Sequence, residues 1–469
     1  MWTSLVAAGI LLLEVSAAYC GWRAISSART AQGAMGWVLF LIFAPVLAVP
    51  LYLFFGHHRF SRYTVARRNS AHIHAGLSSF HEAHRPVTPL PQVAHALEKV
   101  ADLDTMRGNS MSLLENGEAT FEAIFSAIDA AEHYVLVQFY IFRDDALGRQ
   151  FKDHLIAAAK RGVSVALLYD QVGSLRLSQV YLDELSAAGV KVPTNAEMRG
   201  PKTRFQINFR NHRKTVVVDG RVGFIGGHNV GDEYLGKDPA LGAWRDTHIK
   251  LLGPVVMQLQ LVFAEDWHWV TDEVLGDALN WAPETVHEDM NALLVPTGPA
   301  DRLETGALMF FAAICAAKER VWIASPYFVP DRDILSALKV AAMRGVDVRL
   351  LLPSTIDHRI VWLARFAFFD EVRLAGVKIY GYQPGFMHQK VILVDDTLAG
   401  VGTTNLDNRS FRLNFEAMAM FFDPRAAQDV AQMLETDFQQ AELLEMPLSE
   451  HPWHVRYGAP IARLFAPIL

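Results

Sequence analysis

With 469 residues the chain is too long for one ordinary domain, and two domains with extra segments are expected. Its net charge of −7 argues against bulk electrostatic attraction to nucleic acid or anionic lipid, so any such contact must be local. Two cysteines, Cys20 and Cys315, lie far apart and offer neither a disulfide framework nor a metal-ligand pattern.

The apolar excess is concentrated at the N-terminus. Residues 36–56, GWVLFLIFAPVLAVPLYLFFG, form an uncharged run long enough to span a bilayer, and prolines are tolerable there. Residues 4–22 form a weaker span interrupted by Glu14. A cleaved signal peptide is the rival reading, but no basic region precedes the apolar stretch. The pattern predicts a two-helix membrane hairpin over 1–58, hence a multi-pass membrane protein. Arg59, Arg62, Arg67 and Arg68 follow the second span, against Arg23 and Arg29 between the spans. Positive-inside counting therefore places the long C-terminal part in the cytoplasm. Residues 59–105, with HRPVTPLPQ at 84–92, read as a basic connector.

The rest of the chain repeats itself. AIDAAEHYVLVQFYIF at 127–142 resembles AICAAKERVWIASPYF at 313–328, and AAAKRGVSVALLYD at 157–170 resembles VAAMRGVDVRLLLP at 340–353. Each is a helix end running into a β-branched strand, the later pair stopped by Arg-Gly. Two copies of a mixed α/β half follow, with boundaries at 106–290 and 291–469.

Each half carries one hairpin of unusual content, NHRKTVVVDGRVGFIGGHN at 211–229 and MHQKVILVDDTLAGVGTTN at 387–405. His212 and Lys214, like His388 and Lys390, sit two apart on a strand and so share a face. Asp219 and Asp395 stand seven residues after the histidine, and Asn229 and Asn405 seventeen after it. Two surface hairpins have no physical reason to share these intervals. Displacement at a phosphodiester needs a nucleophile, an acid for the leaving alkoxide and donors for the non-bridging oxygens. One histidine from each half, facing its counterpart across a pseudo-twofold axis, supplies the first two. Lys214 and Lys390 supply charge, and Asn229 and Asn405 bind the substrate phosphate. Asp219 and Asp395 complete the catalytic set by shaping it, since both end a strand at a turn. Each histidine also needs an orienting carboxylate. Asp246, 34 residues after His212, and Glu416, 28 after His388, are the candidates, against a reading as polar residues on a solvent face. A lysine beside each histidine argues against a metal, so no cofactor is expected. Arg204, Arg210 and Arg213 form either a landing for an anionic headgroup or a solvated strand edge. Trp362, Phe366 and Phe369 share one helical face, which holds acyl chains or belongs to the core.

The duplicated His-x-Lys-x4-Asp-x6-Gly-Gly/Thr-x-Asn pattern resembles the paired HKD motifs of the phospholipase D superfamily. The bacterial cardiolipin synthase branch is the closer likeness: LYLFFG at 51–56, DQVGS at 170–174, FRNHRK at 209–214, GHNVGDEYLG at 227–236, SPYFVPD at 325–331, TNLDNRSFRLNFE at 404–416 and the tail ARLFAPIL. The resemblance implies a two-half α/β sandwich, metal-independent chemistry and a covalent phosphohistidine. It also implies a phosphatidyltransferase that joins two phosphatidylglycerols with release of glycerol, His212 being the nucleophile and His388 the acid. Its partners would be phosphatidylglycerol and membrane lipids, not nucleic acid. A membrane-bound hydrolase forming phosphatidic acid, a nuclease of the same superfamily and a non-catalytic lipid-binding scaffold are the alternatives. The acidic net charge counts against the nuclease, and paired imidazoles count against the scaffold.

Overall fold

A computed structural model describes residues 2–27, 31–56, 82–194, 197, 210–282 and 286–469. The described residues up to 56 form one compact unit and those from 82 onward another.

In the first unit, α1 (Trp2–Ser27), α2 (Ala31–Phe43) and α3 (Pro45–Phe55) meet along a seam of Cys20, Ala24, Leu41, Ala48, Val49 and Tyr52. Among the described residues only Ser4–Ser26 is a helix both long and apolar enough to cross a membrane. Glu14 does not interrupt it. The expected second span over 36–56 is instead divided at Ala44, whose φ of −142° and ψ of 57° leave the helical region. Pro45 is the cause: its ring crowds the preceding residue out of the α conformation. Of the expected two-helix hairpin, the described residues thus show one continuous helix of spanning length, with the second apolar stretch split into two shorter helices. Arg29, Arg59, Arg62, Arg67, Arg68 and Arg204 lie outside the described residues.

The second unit is a duplicated α/β body. Its first half contains β1 (Met106–Glu115), β2 (Tyr134–Phe139), β3 (Ser164–Tyr169), β4 (Arg210–Asn211), β5 (Thr215–Val218), β6 (Val222–Gly226), β7 (Ala243–Arg245) and β8 (Thr247–Leu252). From β9 (Met290–Thr297) the pattern restarts with β10 (Arg320–Ala324), β11 (Phe328–Val329), β12 (Asp347–Pro353) and β13 (Lys378–Tyr382). It continues through β14 (Gly385–Met387), β15 (Val391–Val394), β16 (Leu398–Gly402), β17 (Leu406–Asp407), β18 (Asn414–Phe421) and β19 (Ala441–Leu443).

One sheet runs through both halves. Its order outward from the centre is β1-β8-β6-β5-β2-β3 on one side and β9-β18-β16-β15-β10-β12-β13-β19 on the other. The first six positions correspond one to one, so the antiparallel β1–β9 pairing lies at the pseudo-twofold axis. In each half the strand after the first long helix pairs in parallel with the next, Tyr134↔Ser164 and Arg320↔Asp347, as helical crossovers require.

Strand alternation decides the layers. Val135, Val137, Val216, Val218 and Phe224 face one way, onto Phe121, Phe125 and Phe151 of the helices Asn116–Asp129 and Ala146–Lys160. The intervening Leu136, Val217 and Ile225 face the other way, onto Val255, Leu259 and Phe263 of Val255–Thr271. That second core is shared: Trp322, Leu351 and Leu393 of the other half enter it with Val430 and Leu434 of Pro424–Gln439. The halves thus fold as one body around common apolar contacts.

Part of the expected connector already belongs to this body. Gln92–Ala101 is a helix whose Val93, Ala94, Leu97 and Ala101 are buried in the second half's core. Phe366 and Phe369 are core residues with the Arg365 guanidinium stacked on both rings, and Trp362 is half-buried beside them.

Candidate active site

Two short strands leave the main sheet and exchange partners between the halves. β4 pairs in parallel with β18, and β14 with β7. Each pairing runs one residue further: His212 N–H donates to the Phe415 carbonyl at 2.9 Å, and His388 N–H to the Arg245 carbonyl at 2.8 Å. Each motif histidine is thereby laid beside the residue preceding the other half's carboxylate.

The orienting pairs are consequently crossed. His212 Nδ1 lies 2.8 and 2.9 Å from the two oxygens of Glu416, and His388 Nδ1 lies 2.8 Å from Asp246 Oδ2. Counting each carboxylate from the histidine of its own half gives the opposite pairing. The solvent-face alternative also falls, because Asp246 and Glu416 are fully buried. Each carboxylate takes a further bond from the residue two before it, Asp246 from Trp244 Nε1 at 3.3 Å and Glu416 from Asn414 Nδ2 at 3.1 Å. With Nδ1 donating to a carboxylate, Nε2 is the nitrogen each imidazole has free for chemistry.

Beneath the histidines lie the two ammonium groups. Lys214 Nζ donates to the His212 carbonyl at 2.6 Å, and Lys390 makes the equivalent bond to His388. Both lysines are buried, which disfavours their charged form. Burial and the Lys390 charge bring Lys214 down to about 7 against the pull of Glu416. Burial brings Lys390 down to about 8 against Asp246 and Glu416. Burial likewise lowers His212 to about 4 and pushes His388 well below the usual imidazole range. Burial alone would raise Glu416, but His212 and Lys214 outweigh it and hold the carboxyl below its ordinary value. The site is thus a cluster of bases whose positive charge lacks water, a setting in which an anion such as a phosphodiester is strongly favoured. Tyr140 lies over His212 at a ring distance of 4.9 Å, and Trp244 and Phe386 flank His388 at 5.1 and 5.8 Å. Among the described residues no three His, Cys, Asp or Glu side chains converge as a metal's ligands.

Asp219 and Asp395 serve the backbone. Asp219 accepts from the N–H groups of Glu132, His133 and Tyr134 at 2.7–2.9 Å. Asp395 Oδ1 accepts from Lys318, Glu319 and Arg320 at 3.1, 2.8 and 3.0 Å. With φ of 54° and 51° they turn the hairpin while tying it to the start of β2 or β10. The two asparagines differ. Asn229 Oδ1 accepts from Ile141 N–H and its Nδ2 donates to the Tyr234 hydroxyl, both at 3.0 Å. Asn405 is equally buried, yet its Oδ1 meets no donor among the described residues.

A second layer escaped sequence reading. Arg213 is buried against Asp266 at 2.6 Å and its Nε donates to the Glu416 carbonyl at 3.0 Å. Arg245 is buried against Asp437 at 2.7 Å and its Nη1 donates to the Asp246 carbonyl at 2.9 Å. Each arginine therefore clamps the backbone of one orienting carboxylate. Arg213 is accordingly no headgroup landing; Arg210 is half-buried beside Asp170. The signal for Asp266 was a carboxylate in a buried apolar run, LVFAEDWHW, and for Asp437 a carboxylate on the apolar face of an amphipathic helix, in step with Val430, Met433 and Leu434.

Comparison with known proteins agrees with this architecture. The family model described as "Cardiolipin synthase, PLD-like domain" matches residues 124–267 and 310–440. Cardiolipin synthase A of Pseudomonas fluorescens is 46% identical over 470 residues, covering 98% of each chain. Cardiolipin synthase A of Pseudomonas aeruginosa is 46% identical over 480 residues, covering 100% of this chain and 97% of its own. Among solved structures, the phosphatidylserine synthase of Haemophilus influenzae Rd KW20 superposes with a TM-score of 0.60 at 15% identity, covering 81% of this chain and 100% of its own. That likeness speaks for the fold, and the full-length identities speak for the family: the chain belongs to the cardiolipin synthase family of phospholipase D-like proteins.

Proposed function

We propose that this protein is a cardiolipin synthase, a phosphatidyltransferase acting between two molecules of phosphatidylglycerol. The observation that carries the reading is the pair of motif imidazoles, each held through Nδ1 by a buried carboxylate of the opposite half, above two buried lysines. In a chain of this family that arrangement suits attack at phosphorus by one histidine and proton transfer by the other.

His212 Nε2 attacks the phosphorus of the donor lipid. The P–N bond forms, the bond to the glycerol oxygen breaks, and that oxygen takes a proton from His388 Nε2. His388 carries that proton because the bound phosphodiester anion and Asp246 together favour the imidazolium over the neutral ring that burial alone favours. A hydroxyl of the second phosphatidylglycerol then gives its proton to His388 as its oxygen attacks phosphorus and the P–N bond breaks. Lys214 and Lys390 balance the charge on the non-bridging oxygens. Asp246 and Glu416 hold the imidazoles. Of the two motif asparagines, Asn405 keeps an amide oxygen open for the substrate, with no donor to it among the described residues, whereas Asn229 is held at both ends by Ile141 and Tyr234. The halves are assigned to 106–290 and 291–469.

We assign α1 as the membrane-crossing segment; its side chains Leu5, Ile10, Leu11 and Leu12 are exposed, as lipid contact requires. Arg23, Arg29 and the arginines of 59–68 lie at its end or after it, so positive-inside counting favours a body in the cytoplasm of a bacterial inner membrane.

The test is a product assay on membranes containing the expressed protein, given labelled phosphatidylglycerol without metal or nucleotide. Cardiolipin with free glycerol is expected, and none with His212→Ala. Phosphatidic acid with glycerol would identify a hydrolase instead.

A further inference from the structure

The last turns of the chain carry two apolar faces, and only one of them is packed. The helix Trp453–Arg463 buries Val455, Ala459 and Ala462 in the second half's core, and Ala466 follows in the next turn. The opposite face presents Trp453 at 76% exposure, Tyr457 at 61%, Ile461 at 60% and Leu464 at 77%. Phe465 and Ile468 extend it at 45% and 47%. Positions 453, 457, 461, 464 and 468 repeat at three- and four-residue intervals, the spacing of a single helical face.

A helix resting on a protein core would ordinarily turn polar side chains to water there. Here the polar groups sit to the side instead. Arg456 is exposed on the flank, and Arg463 is fixed there by its bond to the Ala367 carbonyl and its position 4.7 Å over the Phe368 ring. Residues 451–469 contain two arginines, two histidines and no Asp or Glu, within a chain of net charge −7. Local positive charge beside Trp, Tyr and aliphatic side chains is the composition of an element lying in an anionic bilayer's interface.

Its attachment points to the same partner. The Leu469 carbonyl accepts from Arg409 N–H at 2.8 Å, and the Ile468 carbonyl accepts from the Arg409 guanidinium at 3.3 Å. Arg409 belongs to the short helix Asn408–Arg412, which follows Asn405 through β17. Its charge also acts on Tyr140, the ring lying over His212. The tail is thus tied to an element beside the catalytic pair.

We propose that residues 453–468 form a bilayer-docking surface. Trp453, Tyr457, Ile461, Leu464 and Ile468 enter the headgroup–acyl boundary while Arg456 and Arg463 meet lipid phosphates. This rests on the functional reading in one respect, that the substrate is a bilayer lipid which the site must reach.

The test places a nitroxide on full-length protein in nanodiscs containing anionic lipid, in a background with Cys20 and Cys315 replaced by serine. One label replaces Ile461 (Ile461→Cys), a second replaces Leu464 (Leu464→Cys), and Arg456→Cys serves as the flank reference. Collision rates with oxygen and with a water-soluble nickel chelate report depth. Expected is a several-fold rise in the oxygen-to-nickel ratio at 461 and 464 on passing from detergent to nanodisc, with a smaller change at 456. Labels at 461 and 464 that stay equally open to nickel would overturn the proposal. So would shielding already present in detergent with spin–spin broadening, since a second copy of the chain would then cover the face. A second readout is the ratio of turnover on bilayer phosphatidylglycerol to turnover on a short-chain monomeric analogue. It should fall about tenfold in Trp453→Ser/Ile461→Ser/Leu464→Ser, and an unchanged ratio would count against docking. The depth measurement does not depend on which product forms. Docked labels without cardiolipin synthesis would therefore refute the functional reading and leave the docking surface standing.

Discussion

Replacing Glu416 by glutamine removes one buried negative charge and little else. The carboxylate is fully buried, 2.8–2.9 Å from His212 Nδ1, so its charge acts in a medium that screens poorly. Glutamine keeps the volume but neither fixes the Nδ1–H tautomer firmly nor balances the positive charge that grows on His212 as its Nε2 bonds to phosphorus. Losing a buried orienting carboxylate of this kind costs roughly 10³- to 10⁴-fold, about 4 to 5.5 kcal/mol of transition-state stabilisation. With His212 as the proposed nucleophile, the crossed pairing assigns this cost to formation of the phosphohistidine. Asp246→Asn should instead impair proton transfer through His388.

A donor with an activated leaving group separates the two steps. Phosphatidyl-p-nitrophenol needs no general acid, because nitrophenolate departs unprotonated. In rapid-mixing experiments, His388→Ala and Asp246→Asn should each release a burst of one nitrophenolate per site and then stall for want of a base for the acceptor hydroxyl. His212→Ala and Glu416→Gln should show no burst. If Glu416→Gln kept the burst alongside His388→Ala while Asp246→Asn lost it, the crossed assignment would be refuted. If both members of the His212 pair kept the burst and both members of the His388 pair lost it, the crossing would stand and the roles of the histidines would exchange.

Three further outcomes follow from the same geometry. Asp219→Ala strips acceptors from three backbone N–H groups and should cost about 2–4 kcal/mol in denaturant unfolding, an unchanged midpoint speaking against the framing role. Asp437→Asn removes the buried partner of Arg245 and leaves it only the half-exposed Glu115 at 3.2 Å, which should cost about 3 kcal/mol in the same assay, with no loss indicating that the clamp is dispensable. Lys214 is charged only below about 7 and His212 neutral only above about 4, so kcat/KM on phosphatidyl-p-nitrophenol, whose departure asks no proton of His388, should be flat between and fall as pH rises through about 7. Lys214→Arg, which holds its charge, should move that alkaline limb up to the Lys390 value of about 8, and a limb that did not move would exclude Lys214 as its origin.

What could be read in advance follows from how far apart in the chain the cause lies. His212 and Lys214 share a face because they are two residues apart on a strand, a local rule that needs no fold. The duplication was legible for a similar reason, since matched spacings survive in the linear text. The pairing of His212 with Glu416 spans 204 residues and that of His388 with Asp246 spans 142, and both depend on β4 and β14 changing partners. Strands of two and three residues carry too little pattern to announce such an exchange. In the membrane segments, a hydropathy count over 36–56 does not register what Pro45 does to Ala44, which divides that stretch into two shorter helices.

The motifs match more closely than their surroundings, and the mismatch bears on the division of labour. Asn229 is held at both ends by Ile141 and Tyr234, so its amide is part of the frame. In the second half Ser410 stands where Tyr234 stands in the first, and both its hydroxyl and Asn405 Oδ1 lack protein partners among the described residues. A buried acceptor left without a donor costs about 1–3 kcal/mol, which a ligand recovers by supplying one. A phosphodiester's non-bridging oxygens offer no donor, whereas a glycerol hydroxyl does. Asn405 follows His388 in one hairpin, so the open amide and the proposed proton carrier belong to the same half. The unsatisfied polar atoms thus favour the second half as the side where glycerol leaves and the acceptor hydroxyl enters, which is the work assigned to His388.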